Sequence, residues 1–405
     1  MIHLIKMAFR DLGRNRRRSF FSALALGMGL SLLLLMASVI EGEVRSSMDL
    51  SIKLQSGHLQ VRSLTYDEDK HSLAHEDLVA DPESVAAQVA SLEPVQAASP
   101  RLYASGIITV GEETAGVNLL GIDPDSDTNA PYRDGIVSGQ YLSADDREGV
   151  LIGSTLAANL GLSAGDDISV MVNTANGDVD EQPFTIRGTY ATGSPFYDES
   201  TLIMPLAKAQ TITQAEGYAS TIFVLLKDQD QADAVSAALK SSQYEVLTYR
   251  QMNALLSQIQ GMSNGYMIVL YLIVLGITAT VIINTLIMSV FERTREIGIL
   301  AAMGMRPGRI MAMFFAESTL LTAGGIGIGL VLGGLLVMYA SKVGFYIGKF
   351  GIEGMLLSDR IYARLTIESA IALIITAFVV SLLAALYPAL LAARLEPVDA
   401  LHSGN

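Results

Sequence analysis

Four long apolar runs divide this chain, at residues 19–40, 266–290, 318–341 and 367–391, and only Glu368 brings a charge into any of them. Each reaches the ~20 apolar residues that a helix needs to cross a bilayer. The pattern predicts four membrane spans, at 20–40, 266–291, 314–340 and 367–392. Residues 41–265 follow a different rhythm. Val44, Met48 and Ile52 continue the first span as a helical stalk reaching about residue 61, where Ser56-Gly57-His58 turns into a strand. Asp81-Pro82-Glu83 opens a helix to about residue 92. Alternating or apolar stretches predict strands at 106–110, 116–122, 183–190, 221–226 and 245–248, and a helix at 231–239. Residues 149–170 read as strand, short helix, glycine turn and strand, with Gly161 and Gly165 at the turns. The order is mixed α+β with a β-rich piece inserted. The expected fold is thus four transmembrane helices plus a large α+β domain.

Charge sharpens this division. The chain is 50% hydrophobic and only 17% charged, against ~25% charged in an ordinary soluble domain. Residues 41–265 hold 12 Lys and Arg against 32 Asp and Glu, whereas the remainder holds 15 against 9. An acidic domain carried across the membrane, beside basic segments left in the cytoplasm, accounts for the split. Such a domain is a poor nucleic-acid binder. There is no cysteine, which excludes disulfides and thiol chemistry.

The basic cluster Arg14, Arg16, Arg17 and Arg18 places the N-terminus inside. Before it, Leu4, Ile5, Ala8, Phe9 and Leu12 make an apolar stripe opposite Lys6, Arg10, Arg14 and Arg17, so 1–19 reads as an interfacial helix on anionic lipid. A cleaved signal peptide is the rival reading, but Met36-Ala37-Ser38-Val39-Ile40-Glu41 offers no clear cleavage site. Residues 292–313 then form a cytoplasmic segment with four arginines, 341–366 an outer loop and 393–405 a cytoplasmic tail.

The densest chemistry lies in Glu292-Arg293-Thr294-Arg295-Glu296-Ile297-Gly298-Ile299-Leu300-Ala301-Ala302-Met303-Gly304. Glu292, Arg295 and Glu296 share one helical face, and Ile297, Leu300 and Ala301 another. Gly304 suits a C-cap, and Pro307 ends the turn. A solvated connector that obeys the charge rule satisfies the same pattern. Glu317 falls one turn into the third span, where pairing with Arg293 or Arg309 competes with a functional role. Gly325, Gly329 and Gly333 form a small-residue stripe that suits a subunit interface or packing within the chain equally.

Other candidates are weak. No Gly-x4-Gly-Lys-Ser/Thr loop occurs, so no ATP is expected through that motif. His71 and His75 stand among Asp67, Glu68, Asp69, Glu76 and Asp77, but without a helical pattern a solvated loop is the better reading than a metal clamp. Asp123, Asp125 and Asp127 lack the glycine and late glutamate of a calcium loop. No catalytic constellation is present, and no cofactor or metal is expected in this chain.

The 292–304 stretch, Leu156-Ala157-x-x-Leu160-Gly161-Leu162-x-x-Gly165-Asp166-x-Ile168, and the closing Tyr387-Pro388…Arg394…Pro397-Val398-Asp399-Ala400-Leu401 resemble FtsX-like ABC transporter permeases. The basic head and Ser56-Gly57-His58-Leu59-Gln60-Val61 look most like the lipoprotein-releasing (LolC/LolE-type) members. The resemblance implies a split α/β extracytoplasmic domain with a β-rich insertion. It also implies ATPase coupling through Glu292, Arg293, Arg295, Glu296, Ile297, Gly298, Leu300, Gly304 and Arg309. Ala301 and Arg306-Pro307-Gly308 depart from the family pattern there. A separate cytosolic ATPase would bind ATP and Mg, and a second permease chain, identical or related, would complete the membrane unit. A periplasmic carrier or adaptor is the expected outer partner, with no nucleic acid. The implied function is mechanical release of lipoproteins from the inner membrane rather than pore transport. The alternatives are peptide or drug efflux of the MacB type, which normally has a fused ATPase domain, and FtsX-type activation of a cell-wall hydrolase.

Overall fold

The computed structural model describes residues 10, 13–14, 16–67, 70–240, 243–346 and 356–394. The apolar stripe of residues 4–12 with Lys6, residues 347–355 of the outer loop, and Pro397, Asp399 and Leu401 lie outside them. The chain divides into two compact units, one of 1–43, 260–345 and 361–405, the other of 44–259 and 346–360.

Helix α1 (Arg16–Ser51) leads into a π-helical turn (Ile52–Ser56). The acidic unit follows in the order β1 (Leu59–Ser63), β2 (Val79–Ala80), α2 (Pro82–Ala90), β3 (Val95–Val110), β4 (Glu113–Ile122), α3 (Ala130–Asp134), β5 (Ile136–Gly139) and β6 (Gly149–Gly153). It continues with α4 (Ser154–Leu160), β7 (Asp167–Asn173), β8 (Val179–Tyr190), α5 (Pro195–Ser200), β9 (Thr201–Pro205), α6 (Leu206–Thr213), β10 (Tyr218–Ala219) and β11 (Thr221–Leu226). Helix α7 (Ala232–Leu239), β12 (Tyr244–Thr248) and α8 (Tyr249–Met252) close it.

Two halves share one sheet. β12, β1 and β11 pair antiparallel and run onto the first part of β3. With α2 and α7 they enclose a core of Leu59, Val61, Val89, Ile222, Val224 and Val246. The second part of β3 pairs with β7, and the pairings β3–β4–β9–β6–β8–β7–β3 close on themselves. The inserted β-rich piece is therefore a closed six-stranded barrel, with β5 paired to β8 beside it as an edge strand. Leu102, Ile108, Leu119, Ile152, Ile168, Phe184 and Leu202 fill its core.

Two stretches read from the sequence have local structural causes. Gly161 and Gly165 adopt φ +65° and +101°, turning α4 into β7, while Leu156 and Ile168 enter the core. In Ser56-Gly57-His58, Gly57 has φ +60°, and a Cβ there would sit 2.8 Å from the Val224 carbonyl oxygen. His58 Nδ1 accepts the Leu226 N–H at 2.9 Å, which fixes its tautomer. Its burial holds the imidazole pKa below the usual value.

In the other unit, α9 (Ala254–Glu292), α10 (Thr294–Ala302), α11 (Pro307–Val343) and α12 (Ile367–Ala393) follow. Among the described residues four helices are long and apolar enough to cross a membrane: α1, α9, α11 and α12. α11 begins at Pro307, seven residues before the start expected for the third span, because Arg306 (ψ 139°) leaves proline at the first helical position. The glycine stripe lies against α1 within the chain. A Cβ on Gly329 would meet the Gly27 carbonyl oxygen and Leu30 Cβ at 2.9 Å each, and one on Gly333 would meet Leu34 Cδ1 at 2.9 Å. These glycines let the two backbones approach where any larger side chain would separate them.

Candidate functional site

The charged segment between α9 and α11 is built as a short helix tied down at both ends. α9 stops at Glu292 because Arg293 leaves helical geometry (φ −117°, ψ 14°). Thr294 Oγ1 donates to the carbonyls of Val290 and Phe291, both at 3.0 Å, supporting the break. This corrects the expectation of one helix through 292–304: Glu292 does not share a helical face with Arg295 and Glu296. At the other end Gly304 (φ +86°) allows the Met305 N–H to reach the Leu300 carbonyl at 3.0 Å and its own N–H to reach that of Ala301 at 2.9 Å. That pair is a Schellman closure, and it needs the left-handed conformation glycine adopts without strain.

Ile297 is 1% exposed and packs among Leu286, Ile310 and Phe314, with Gly298 buried beside it and Ala301 half-buried. The opposite side carries Arg295, Ile299 and Met303, all exposed, the last by 72%. Leu300 is half-buried between the faces, and Arg309 is exposed on the first turn of α11.

Ion pairs fasten the base. Arg14 Nη1 donates to Glu296 Oε1 at 2.8 Å, and Arg18 Nη1 to Glu292 Oε1 at 2.9 Å. Arg293 Nε reaches Glu296 Oε2 at 3.2 Å, and its Nη1 lies 3.8 Å from Glu317 Oε2. Glu317, 4% exposed, accepts a further hydrogen bond from Ser289 Oγ at 3.3 Å. The bond from Arg14, followed by that from Arg293, holds the Glu296 carboxyl below its usual pKa despite partial burial. A ladder Arg14–Glu296–Arg293–Glu317–Ser289 thus runs from the chain's N-terminal segment through α10 to α11 and α9.

Of the residues expected at this site, Glu292, Arg293, Glu296 and Glu317 are brought together, while Arg295 and Arg309 stand apart on the surface. Sequence reasoning missed Arg14 and Arg18, which it gave only to topology and lipid. Four clustered arginines matched by two acids far along the chain was the available signal, but it lacked register. His71 and His75 turn to aromatic partners: the His71 ring stacks on Tyr103 at 6.0 Å and that of His75 on Tyr218 at 4.4 Å.

Comparisons with known proteins bear on both units. The chain is 26% identical to an uncharacterized ABC transporter permease of Methanocaldococcus jannaschii, over 66% of this chain and 65% of that one. It is 23% identical to the lipoprotein-releasing system transmembrane protein LolC of Xylella fastidiosa, covering 98% of each. It is 27% identical to the macrolide export ATP-binding/permease protein MacB of Rhodospirillum rubrum, over 98% of this chain but 60% of that protein. The family model of the MacB-like periplasmic core domain matches residues 19–242, more than half of the chain, and that of the FtsX-like permease C-terminal region matches 268–397. The chain belongs to this family: it is a multi-pass ABC transporter permease that joins a MacB-like periplasmic core domain to FtsX-like membrane helices.

Proposed function

We propose that α10 is the docking element for a separate ATPase, and that the chain transmits the ATPase's motion to its acidic domain to release lipid-anchored proteins from the inner membrane. One observation carries the coupling: α10 turns Arg295, Ile299 and Met303 outward while Ile297 and the Arg14–Glu296–Arg293–Glu317 ladder root it in the helices behind. A rigidly rooted helix with an exposed apolar and basic face passes on a push; a loosely held one would absorb it. In this reading the basic segments face the cytoplasm, as do both termini. The acidic domain works in the periplasm, α1 and α9 carry the motion, and a second permease chain completes the unit. Substrate is lifted from the outer leaflet, with ATP and Mg held by the partner.

Lipoproteins are favoured as cargo because LolC matches from end to end. Efflux has its own support in the 27% identity to MacB. Deleting residues 292–299 should abolish co-purification of the ATPase, and a complex that survives the deletion would overturn the coupling. Depleting the protein and fractionating labelled lipoproteins tests the cargo: retention in the inner membrane is expected, while normal sorting would favour efflux.

A further inference from the structure

The acidic domain holds a partly open chamber that none of the above uses. Its volume is about 130 Å³, and it lies between the π-helical turn after α1, β1, β3, β4 and α5. Rings of Tyr66, Tyr103, Phe196 and Tyr197 face it, and among the described residues no Lys, Arg, Asp or Glu lines it. Gln55, Gln60, His71, Ser200 and Thr201 add polar groups to the walls. Asn118 supplies an amide, and Thr221, 1% exposed, supplies a hydroxyl whose Oγ1 is buried with no hydrogen-bond partner among the described residues. Leaving a buried hydroxyl unbonded is costly, so a group that bonds it from the chamber would be rewarded. At the wall, His71 holds a left-handed backbone (φ 44°) while its ring stacks on Tyr103. Such strain in a non-glycine residue is concentrated at ligand sites.

We propose that this chamber binds a neutral aromatic ring bearing one hydrogen-bonding group, with Thr221 Oγ1 and Asn118 as its polar contacts. The size fits one ring system, since an apolar cavity of about 150 Å³ holds benzene. Aromatic walls favour a flat, polarisable occupant over an alkyl chain of equal volume. Charge argues for neutrality: among the described residues no charged side chain lines the walls, and a domain with 32 acidic against 12 basic residues repels anions. The ring can arrive as a free small molecule or as a side chain of a bound peptide.

The chain contains no tryptophan, so the fluorescence of an added indole reports on indole alone. Full-length protein in detergent would be titrated with indole, with N-acetyl-tryptophanamide and with the peptide Gly-Trp-Gly. Saturable indole binding is expected. Ser200→Phe, which fills the chamber from the end of α5, should weaken it at least tenfold, and Thr221→Val, which keeps shape and loses the hydroxyl, about fivefold. Binding of indole alone would assign the site to a free small molecule; equal binding of the peptide would assign it to a side chain. A signal that does not saturate, or that persists unchanged in both variants, is partition into detergent and overturns the proposal.

Discussion

The two units of this chain differ in what they leave exposed. In the acidic domain the apolar side chains are inside: Leu102, Ile108, Ile152, Phe184 and Phe223 are all at most 1% exposed. In the membrane helices many large apolar residues point outward, with Leu272, Ile277, Val331 and Leu383 each more than 60% exposed. What those helices bury is mixed: Leu30, Leu33, Leu34, Leu286 and Phe314 lie inside beside Ser22, Thr285, Ser289, Glu317, Ser318, Thr322, Ser381 and the glycines Gly325, Gly329 and Gly333. The reason is the solvent. Water drives apolar groups together, whereas hydrocarbon does not, so contact between spans rests on close approach and hydrogen bonds. An apolar position therefore marks the core in the acidic domain, whereas in a span it falls on either side and the small and polar residues mark the contacts.

Arg101 is the exception that tests this contrast most severely. It is fully buried inside the domain, where the rule calls for apolar atoms. Its Nη1 donates to the Leu54 carbonyl at 2.7 Å, at the end of the π-helical turn, and its Nη2 to Asn129 Oδ1 at 3.0 Å. Its guanidinium lies 3.5 Å from the centre of the Phe223 ring, a contact that favours the cation. Arg101→Met should leave those acceptors unpaired in the core and cost about 3 kcal/mol. The domain's melting temperature should fall by roughly 6–12 °C. A rise instead would mean that the domain prefers an apolar occupant without exception.

The second largest effect concerns Asp198, another buried polar group of the domain. It accepts Thr192 N–H at 3.1 Å and Thr192 Oγ1–H at 2.7 Å, yet burial outweighs these bonds and pushes its pKa up to about 6. With the folded pKa raised above the unfolded value of 3.8, the folded state holds its proton more tightly. The stability this gives is full below pH 3.8 and is lost as pH rises through 6. Asp198→Asn should remove the dependence. Melting curves from pH 4 to 7.5 should show the parent losing on the order of 2–3 kcal/mol relative to the variant. Parallel curves would show that Asp198 is already well solvated.

How much of this was readable beforehand depends on the same contrast. The spans and the glycine stripe were legible because a membrane imposes length and allows few charges. Strand 116–122 was legible as an alternating run and 221–226 as a short stretch dominated by apolar residues. The stretch 95–100 was not read as a strand, since Pro100 argues against a central position, yet Pro100 lies opposite Ile222 in the ladder. Strand β9 and helix α6 escaped because Thr201-Leu202-Ile203-Met204-Pro205 is too short to carry a period. The salt-bridge ladder was legible in one rung: pairing of Glu317 with Arg293 was one of two readings, whereas Arg14 and Glu296 are brought together only by helix packing. Arg101 gave no signal either, as one arginine beside Pro100 looks like any surface turn.

Two glycines sharpen the membrane half of the comparison. Gly329 faces α1 with no room for a side chain, whereas nothing lies within 4 Å of a Cβ built on Gly276. Gly329→Val should destabilise the purified protein in detergent by about 1–3 kcal/mol, the usual cost of overpacking. Gly276→Val, on an outward face, should be close to neutral. Equal effects would mean that helix propensity, not close approach, sets the glycine positions.

The smallest effect asks whether a polar contact between spans is worth more than its counterpart in water. Ser22 Oγ and Thr285 Oγ1 lie 2.7 Å apart, both buried, joining α1 to α9. Thr285 Oγ1 also donates to the Val281 carbonyl at 2.7 Å, so its proton is committed and Ser22 is the donor across the interface. Thr285→Val therefore removes only an acceptor, and the Ser22 hydroxyl can turn back to a carbonyl one turn earlier on its own helix. That fallback caps the penalty. A double-mutant cycle of Ser22→Ala and Thr285→Val, read by unfolding in mixed detergent, should give a coupling of about 0.6 kcal/mol. A value well above ~1.7 kcal/mol would mean that polar contacts, rather than the glycine-lined approach of α1 and α11, hold these helices together.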